Sequence, residues 1–321
     1  MPTNEHPVAI IGAGIAGLAC ARRLQSAGIA VEVIDKSRGP GGRCDTLYGD
    51  GWQADHGAQY FTARDEGFRA AVEAWRRNGI VAEWQARIVA FDGKAFSPVS
   101  NGETRFVGTP DMSVIGRHLS AGLPLRYDSR VTALRRAGEH WIVETSPGET
   151  AGRRYSAVIV ALPAPQAAAL LADVAPPLAA TTSRCAMRAS RALILRYGVD
   201  PGLPFDAAFV NAGVLSWVAR DTSKPDRPQG HTWVLHAPDE GEDGIEAAMI
   251  EAFMHLGAPR PTAVTSHSWR FAQGASSCAL QEVWLREQCI GLAGDWLSGG
   301  RLEGAWLSGQ RTAAAVLEMP T

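Results

Sequence analysis

The apolar positions of this chain change period several times, and the changes divide it. A four-residue apolar run, Val8 to Ile11, meets a glycine-rich turn and then a helical pattern over Ala16 to Ala27, after which a second short run spans Val31 to Ile34. Short apolar runs separated by a helix read as buried parallel strands of a βαβ unit. Helical spacing at Phe68 to Arg77 gives way to strands around Ile88 to Phe96, and helical character returns at Met112 to Leu119. Residues 130–145 read as two strands with Gly138 as their turn, and 156–171 as a buried strand running into a proline-started helix. From about 167 to 275 alternating strands dominate, as in 192–197 and 231–237, with a polar, proline-containing loop at Asp221 to Gly230. The first pattern then returns: an apolar strand ends in Gly294-Asp295, and a helix follows from Glu303 to Leu317.

The sequence therefore predicts an α/β chain whose nucleotide-binding domain is discontinuous. Residues 1–63, 106–166 and 276–321 are expected to form a Rossmann-type domain, interleaved with an α+β substrate domain from 64–105 and 167–275. A length of 321 residues with 46% hydrophobic composition is enough for two cores. The net charge of -2 gives no reason to expect a nucleic-acid or membrane partner. Five cysteines, with no CxxC pair and an odd count, suggest neither a disulfide framework nor a zinc site, and the histidines show no ligand spacing, so no metal is expected. A reducing cytoplasm fits these features. The apolar stretch at 8–21 follows Glu5 where a secretory leader would carry Lys or Arg, and its glycines explain it better.

Those glycines carry the first candidate chemistry. Gly12, Gly14 and Gly17 have GxGxxG spacing between strand and helix, with Ile15 and Ala16 in the same turn, and Asp35 followed by Lys36 closes the next strand. Gly12 permits the tight turn, Gly14 lets backbone approach a pyrophosphate, Gly17 lets helix and strand pack, and Asp35 suits a ribose hydroxyl. Gly41, Gly42 and Arg43 then make a second glycine-rich bend with a guanidinium able to grip phosphate, where a simple nicotinamide domain would continue into another βαβ unit. This resembles the GG motif of the FAD-dependent oxidoreductases that include amine oxidases; the plainer alternative is a flexible surface turn. At the other end, Asp295 and the trio Glu303, Gly304 and Ala305 suit a carboxylate near the ribityl chain and a helix N-terminus facing a flavin. The plainer alternative is a turn cap at Asp295 and a first-turn acid at Glu303.

The run 55–65 (DHGAQYFTARD), the APQ at 164–166, the segment 215–227 (LSWVARDTSKPDR), 233–237 (WVLHA) and 294–315 (GDWLSGGRLEGAWLSGQRTAA) resemble the bacterial renalases along nearly the whole chain. That resemblance implies noncovalent FAD, a fold similar to p-hydroxybenzoate hydroxylase and the amine oxidases, and oxidation of 1,2- and 1,6-dihydro isomers of NAD(P)H to NAD(P)+, with O2 reduced to H2O2. It implies cofactor contacts from Ala16, Arg43, Gln59 and Tyr60, and Ala58 and Val131 join the expected set. His56 departs from an apolar residue common in such relatives.

Hydride loss from a dihydropyridine restores aromaticity, so no obligatory acid or base is expected, only residues that hold the ring and grip its carboxamide. Tyr60, Thr62, Trp217 and His236 are the chosen candidates, with Trp269 and Trp296 considered beside them; each aromatic could instead be core. The expected partners are a dinucleotide substrate and O2, and oligomeric state is not legible. An amine oxidase is the main rival, although Arg301 before the EGA of the last helix would repel an ammonium substrate. A hydroxylase and a non-catalytic binding protein on the same fold are the others.

Overall fold

The computed structural model describes residues 6–99, 102–146, 153–274 and 283–318. The chain forms two compact units: residues 1–42, 115–187 and 274–321 make the first, and 43–114 with 188–273 the second.

The first unit is built on a six-stranded sheet in the order Trp284–Leu285, Ile290–Leu292, Ala157–Val160, Val8–Ile11, Val31–Ile34, Leu125–Arg126. All neighbours pair in parallel except the edge strand Trp284–Leu285. Every residue of the strands Val8–Ile11, Val31–Ile34 and Ala157–Val160 is buried, as a parallel sheet covered on both faces requires. Ala9, Ile11, Val158 and Val160 pack in one cluster with Leu134, Trp141 and Val143 of the smaller sheet formed by Arg130–Ala137, His140–Ser146 and Arg154–Tyr155. The helices Ile15–Ser26 and Leu302–Leu317 approach closely at Gly309, where a Cβ would collide with the carbonyl of Ala16. Glu32 is buried in its strand and is neutralised locally: Tyr155 Oη donates to it at 2.6 Å, and Arg126 and Arg153 each pair with it at 3.0 Å.

The second unit is built on a seven-stranded sheet in the order Ala263–Gly274, Met187–Tyr197, His231–Pro238, Trp217–Arg220, Ala207–Val210, Ile88–Phe91, Phe96–Pro98. Alternation sets its two faces. Leu193, Leu195, Trp233, Leu235 and Ala237 bury against Met249 and Phe253 of the helix Ile245–His255. Ile194 and Val234 point the other way, onto Ala54 of the hairpin Thr46–Gly49/Trp52–Asp55.

The division differs from the expected one in three places, each for a packing reason. Residues 43–63 lie in the second unit, because their hairpin buries Ala54 against that unit's sheet. Residues 106–114 join it too, since Phe106–Gly108 pairs with Val81–Glu83. Residues 167–187 belong to the first unit, where Leu171, Leu178 and Cys185 enter its core. Cys185 is disulfide-bonded, which the cysteine count had not suggested, whereas Cys20, Cys44 and Cys289 are free. Cys278 and the residues 276–282 of the expected nucleotide domain lie outside the described residues.

Candidate active site

In the first unit the glycine loop is a backbone cradle. Gly12 holds φ +113°, and a Cβ there would stand 2.5 Å from the carbonyl oxygen of Ala161. A Cβ on Gly17 would collide with the carbonyl of Gly12, so helix and strand can meet only through glycine. Gly14 is different: it caps the helix Ile15–Ser26 with extended backbone and no side-chain hydrogen bond, and no protein atom lies within 4 Å of where its Cβ would stand. The first-turn N–H groups are thus left for an anion. The GG bend lies directly beside this loop. Gly41 N donates to Ala13 O at 2.8 Å, Gly14 and Gly41 form a parallel bridge, and a Cβ on Gly42 would be 3.3 Å from Gly14 Cα. Asp35 is oriented by two backbone donors, Ala13 N at 2.6 Å and Ser37 N at 2.7 Å, which leaves further lone pairs on both oxygens. Lys36 is exposed beside it, while Ile15 and Ala16 are buried in the first helical turn.

The other expected cofactor residues of this unit are Val131, Asp295, Glu303, Gly304 and Ala305. Val131 is half-buried at a register shift between Val131 and Ala133. Asp295 is buried in the 3-10 turn Asp295–Leu297, and Glu303, Gly304 and Ala305 are buried in the first turn of the helix Leu302–Leu317. Gly304 is required there, because a Cβ would collide with the carbonyl of Ser298. Trp296 is a core residue and no ring clamp: it is fully buried in the first unit's main cluster, and its Nε1 donates to Leu162 O at 3.1 Å.

The second unit holds the remaining candidates. Arg43 Nη1 donates to Ala272 O at 2.8 Å, so one arm of the guanidinium is anchored to the strand Ala263–Gly274. Gln59 is buried and donates to the carbonyls of Asp55 and Gly57, leaving its Oε1 without a protein partner. Ala58 is half-buried, its N–H bonded to Arg43 O at 2.9 Å. Tyr60, Trp217 and Trp84 gather into one aromatic group, with ring centroids 5.5 Å apart for Tyr60–Trp217, 6.2 Å for Tyr60–Trp84 and 6.5 Å for Trp84–Trp217. Arg105 lies over the Tyr60 ring at 5.4 Å. Thr62 lines a charged cleft of about 640 Å³ with Arg64, Arg69, Glu73 and Glu103. Trp269 stacks on His56 at 5.0 Å and donates to its carbonyl at 2.9 Å.

His236 and Trp217 are register partners on adjacent antiparallel strands, so their side chains share a face. Burial, then the charges of Lys224 and His56, lower the His236 pKa to about 4, which keeps the imidazole neutral. His56 is lowered likewise to about 4, by burial and then by His267.

Sequence reasoning missed a buried ion cluster beneath these residues. Asp55, Asp221, Lys224 and Arg227 all have fully buried side chains, although 221–230 was expected to be an ordinary polar loop. Asp55 Oδ2 accepts from Lys224 Nζ at 2.9 Å and Arg227 Nη2 at 2.6 Å, and Oδ1 from Thr46 Oγ1 at 2.7 Å and Met112 N at 3.0 Å. Lys224 Nζ also donates to Asp221 Oδ1 at 2.7 Å. Burial alone would raise the Asp55 pKa, but Lys224 and Arg227 hold it well below the usual carboxylate range. Lys224 stands 5.8 Å over the Trp84 ring, whose Nε1 donates to Ser223 Oγ at 3.1 Å, so the cluster braces the aromatic group. A signal was available: Asp221, Lys224 and Arg227 recur at three-residue spacing with opposite charges in one short segment.

The fold and cradle define a Rossmann-like dinucleotide-binding protein of the flavin oxidoreductase type. Residues 10–77 match the NAD(P)-binding Rossmann-like domain, and residues 99–317 match the family described as flavin containing amine oxidoreductase. The chain belongs to that flavin containing amine oxidoreductase family. It is 46% identical over 55 residues to the zeta-carotene-forming phytoene desaturase of Myxococcus xanthus, covering 17% of this chain and 11% of the relative. It is 41% identical over 69 residues to the L-amino-acid oxidase of Siganus canaliculatus, 21% of this chain and 13% of the relative. The chain therefore spans only a small part of the curated relatives it matches. Among solved structures, a protein from Exiguobacterium sp. 255-15 provisionally called a protoporphyrinogen oxidase aligns with TM-score 0.81 at 13% identity, over 98% of this chain and 99% of that one. Wild-type putrescine oxidase bound to putrescine aligns with TM-score 0.72 at 14% identity, over 98% and 99%. These likenesses share the fold. The cofactor is FAD, and the Gly12–Gly17 cradle, its uncapped helix and the adjoining GG bend fit a dinucleotide pyrophosphate. Among the described residues no helix is long and apolar enough to cross a membrane.

Proposed function

We propose that this flavoprotein is an oxidase of dihydronicotinamide dinucleotides, acting on the 1,2- and 1,6-dihydro isomers of NAD(P)H. The overall reaction is dihydronicotinamide plus O2 plus a proton giving the aromatic nicotinamide cation and H2O2. When bound, FAD supplies the two-electron acceptor that passes the electrons to O2. The chain's own residues bind, orient and exclude water. Gly12, Gly14, Gly17, Gly42 and Arg43 receive the cofactor phosphates, and Asp35 with Lys36 receives the adjoining ribose. Asp295 and Glu303 to Ala305 serve the flavin end, while Ala58, Gln59, Tyr60 and Val131 complete the contacts. Tyr60 and Trp217 present planar faces to the substrate ring, and Thr62 and His236 contribute polar groups.

The observation that carries this reading is the aromatic group Tyr60–Trp84–Trp217 with the Arg105 guanidinium over Tyr60. An ammonium substrate placed against those rings would meet like charge, whereas a neutral dihydropyridine with an anionic diphosphate tail would not. The family's amine oxidases keep an amine substrate as the rival. Anaerobic mixing of the FAD-loaded protein with the two dihydro isomers, ordinary NADH and a panel of primary amines separates them. Fast bleaching of the flavin band by the isomers, with little response to amines, is expected; bleaching by amines alone overturns the proposal.

A further inference from the structure

The cleft that Thr62 lines lies wholly within the second unit, and its volume of about 640 Å³ falls inside the range of small-molecule sites. It shares a backbone frame with the aromatic group. Phe61 N donates to Phe106 O at 2.9 Å, Phe106 N to Phe61 O at 2.8 Å, and Trp84 N to Arg105 O at 2.8 Å. Tyr60 and Thr62 flank Phe61 in the chain, so their Cα atoms are at most about 7 Å apart. Arg105, whose guanidinium lies over the Tyr60 ring at 5.4 Å, sits in the chain between Thr104 and Phe106 of the cleft wall. A ligand whose ring rests on Tyr60 therefore needs only a short tail to enter the cleft.

The charges that line this cleft are unequally matched. Glu103 is met by Arg64, whose Nε donates to it at 2.8 Å, and Glu73 by Arg76 Nε at 3.2 Å. Arg69 makes no ion pair among the described residues, so the cleft keeps a cation without a counter-charge. Beside it the lining is apolar: Val72 is buried, and the Phe106 ring stands 5.7 Å from that of Phe61. A cation next to an apolar wall fits a phosphate joined to a flat base, and an alkylammonium poorly.

We propose that this cleft receives the diphosphate and adenosine of the dinucleotide substrate, with Arg69 and Arg64 toward the phosphates and Val72 and Phe106 against the purine. The Arg64–Glu103 pair holds one of the two guanidinium groups in place. This subsite rests on the dihydronicotinamide reading and deepens it by naming what selects a dinucleotide over a mononucleotide.

The test uses the FAD-loaded protein and compares the 1,2- and 1,6-dihydro isomers of the dinucleotide with those of nicotinamide mononucleotide, which keep the ring and one phosphate. In anaerobic bleaching, the dinucleotide's advantage in apparent affinity should fall about five- to tenfold in Arg69→Glu, where an exposed attraction becomes a repulsion, and rise about two- to fivefold in Glu73→Gln. Both positions are exposed on the helix Glu66–Arg77, so folding survives either change. A purely structural role would not move the advantage in opposite directions. Adenosine diphosphate ribose, titrated calorimetrically, should bind the wild-type protein more tightly than inorganic pyrophosphate and lose about five- to tenfold in Arg69→Glu. An unchanged dinucleotide advantage in both variants, equal losses for dinucleotide and mononucleotide, or pyrophosphate binding as tightly as adenosine diphosphate ribose overturns the subsite while leaving the oxidase reading intact. Bleaching by amines alone, with no binding of adenosine diphosphate ribose, overturns both.

Discussion

The two units solve the problem of holding a polar ligand in opposite ways. In the first, the work falls to backbone: Gly12 and Gly17 leave the room that a Cβ would fill, Gly12 N–H being spent on Ile34 O at 2.8 Å, and Gly14 with the uncapped helix N-terminus offers N–H groups. In the second, it falls to side chains: a buried four-charge cluster braces Trp84, and Trp217 and His236 hold polar atoms away from water. A backbone cradle tolerates almost any flanking sequence but no extra Cβ. A side-chain cluster is the reverse, since each charge is viable only while its partner is present.

The sharpest way to break this contrast is Lys224→Met. It leaves Asp55 and Asp221 buried with Arg227 as their remaining cation, and should cost about 3–5 kcal/mol, read by urea unfolding, so that the protein accumulates poorly or not at all. A result under about 1 kcal/mol would mean that the cluster relaxes or is wetter than its geometry implies. A second variant, Arg43→Ala, should reduce FAD affinity by about 1.5–3 kcal/mol, the range for a hydrogen bond to a charged group, measured by titrating apoprotein with FAD. Unchanged affinity would confine Arg43 to contacts within the protein, its bond with the Ala272 carbonyl among them.

Two glycine variants sharpen the backbone half. Gly17→Ala should destabilise even the apoprotein by about 1–3 kcal/mol, because its Cβ meets the Gly12 carbonyl. Gly14→Ala should leave apoprotein stability within about 0.5 kcal/mol, since no protein atom is near, yet weaken FAD binding by about 1–3 kcal/mol. If both lose only stability, the loop serves packing alone.

The smallest expected effect is on pH dependence. His56 and His236 titrate near 4 in the folded protein against an ordinary 6.5. Between about pH 6.5 and 4 the unfolded chain binds more protons, so stability falls as pH falls through that window. Asp55, held low, contributes no loss until the pH nears its ordinary 3.8. His236→Asn should flatten the slope of the urea midpoint between pH 7 and 5; an unchanged slope would mean that His236 is not kept neutral by the fold.

The nucleotide-binding half was legible because its chemistry is local in sequence. Gly12, Gly14, Gly17 and Asp35 act through φ angles, helix ends and strand termini, which a stretch of about 20 residues fixes by itself. The strand Val8–Ile11, the turn at Gly138 and the helix Leu302–Leu317 were recoverable for the same reason: period and turn chemistry are short-range. The strands Ala207–Val210 and Trp217–Arg220 were not singled out, since four-residue runs carry little period and take their identity from neighbours on either side.

What the sequence determined alone is a dinucleotide cradle with a GG bend, and hence a flavin-type oxidoreductase. Tertiary structure decided the rest. It assigned residues 43–63 to the second unit, because Ala54 finds its burial only against Ile194 and Val234. It turned an apparently solvated loop into a buried ion cluster, because Asp55 meets Lys224 across 169 residues. It also separated Trp296, which is core, from Trp217, whose buried N–H has no protein partner. Desolvation and pairing depend on which strands become neighbours, and one-dimensional spacing does not encode that.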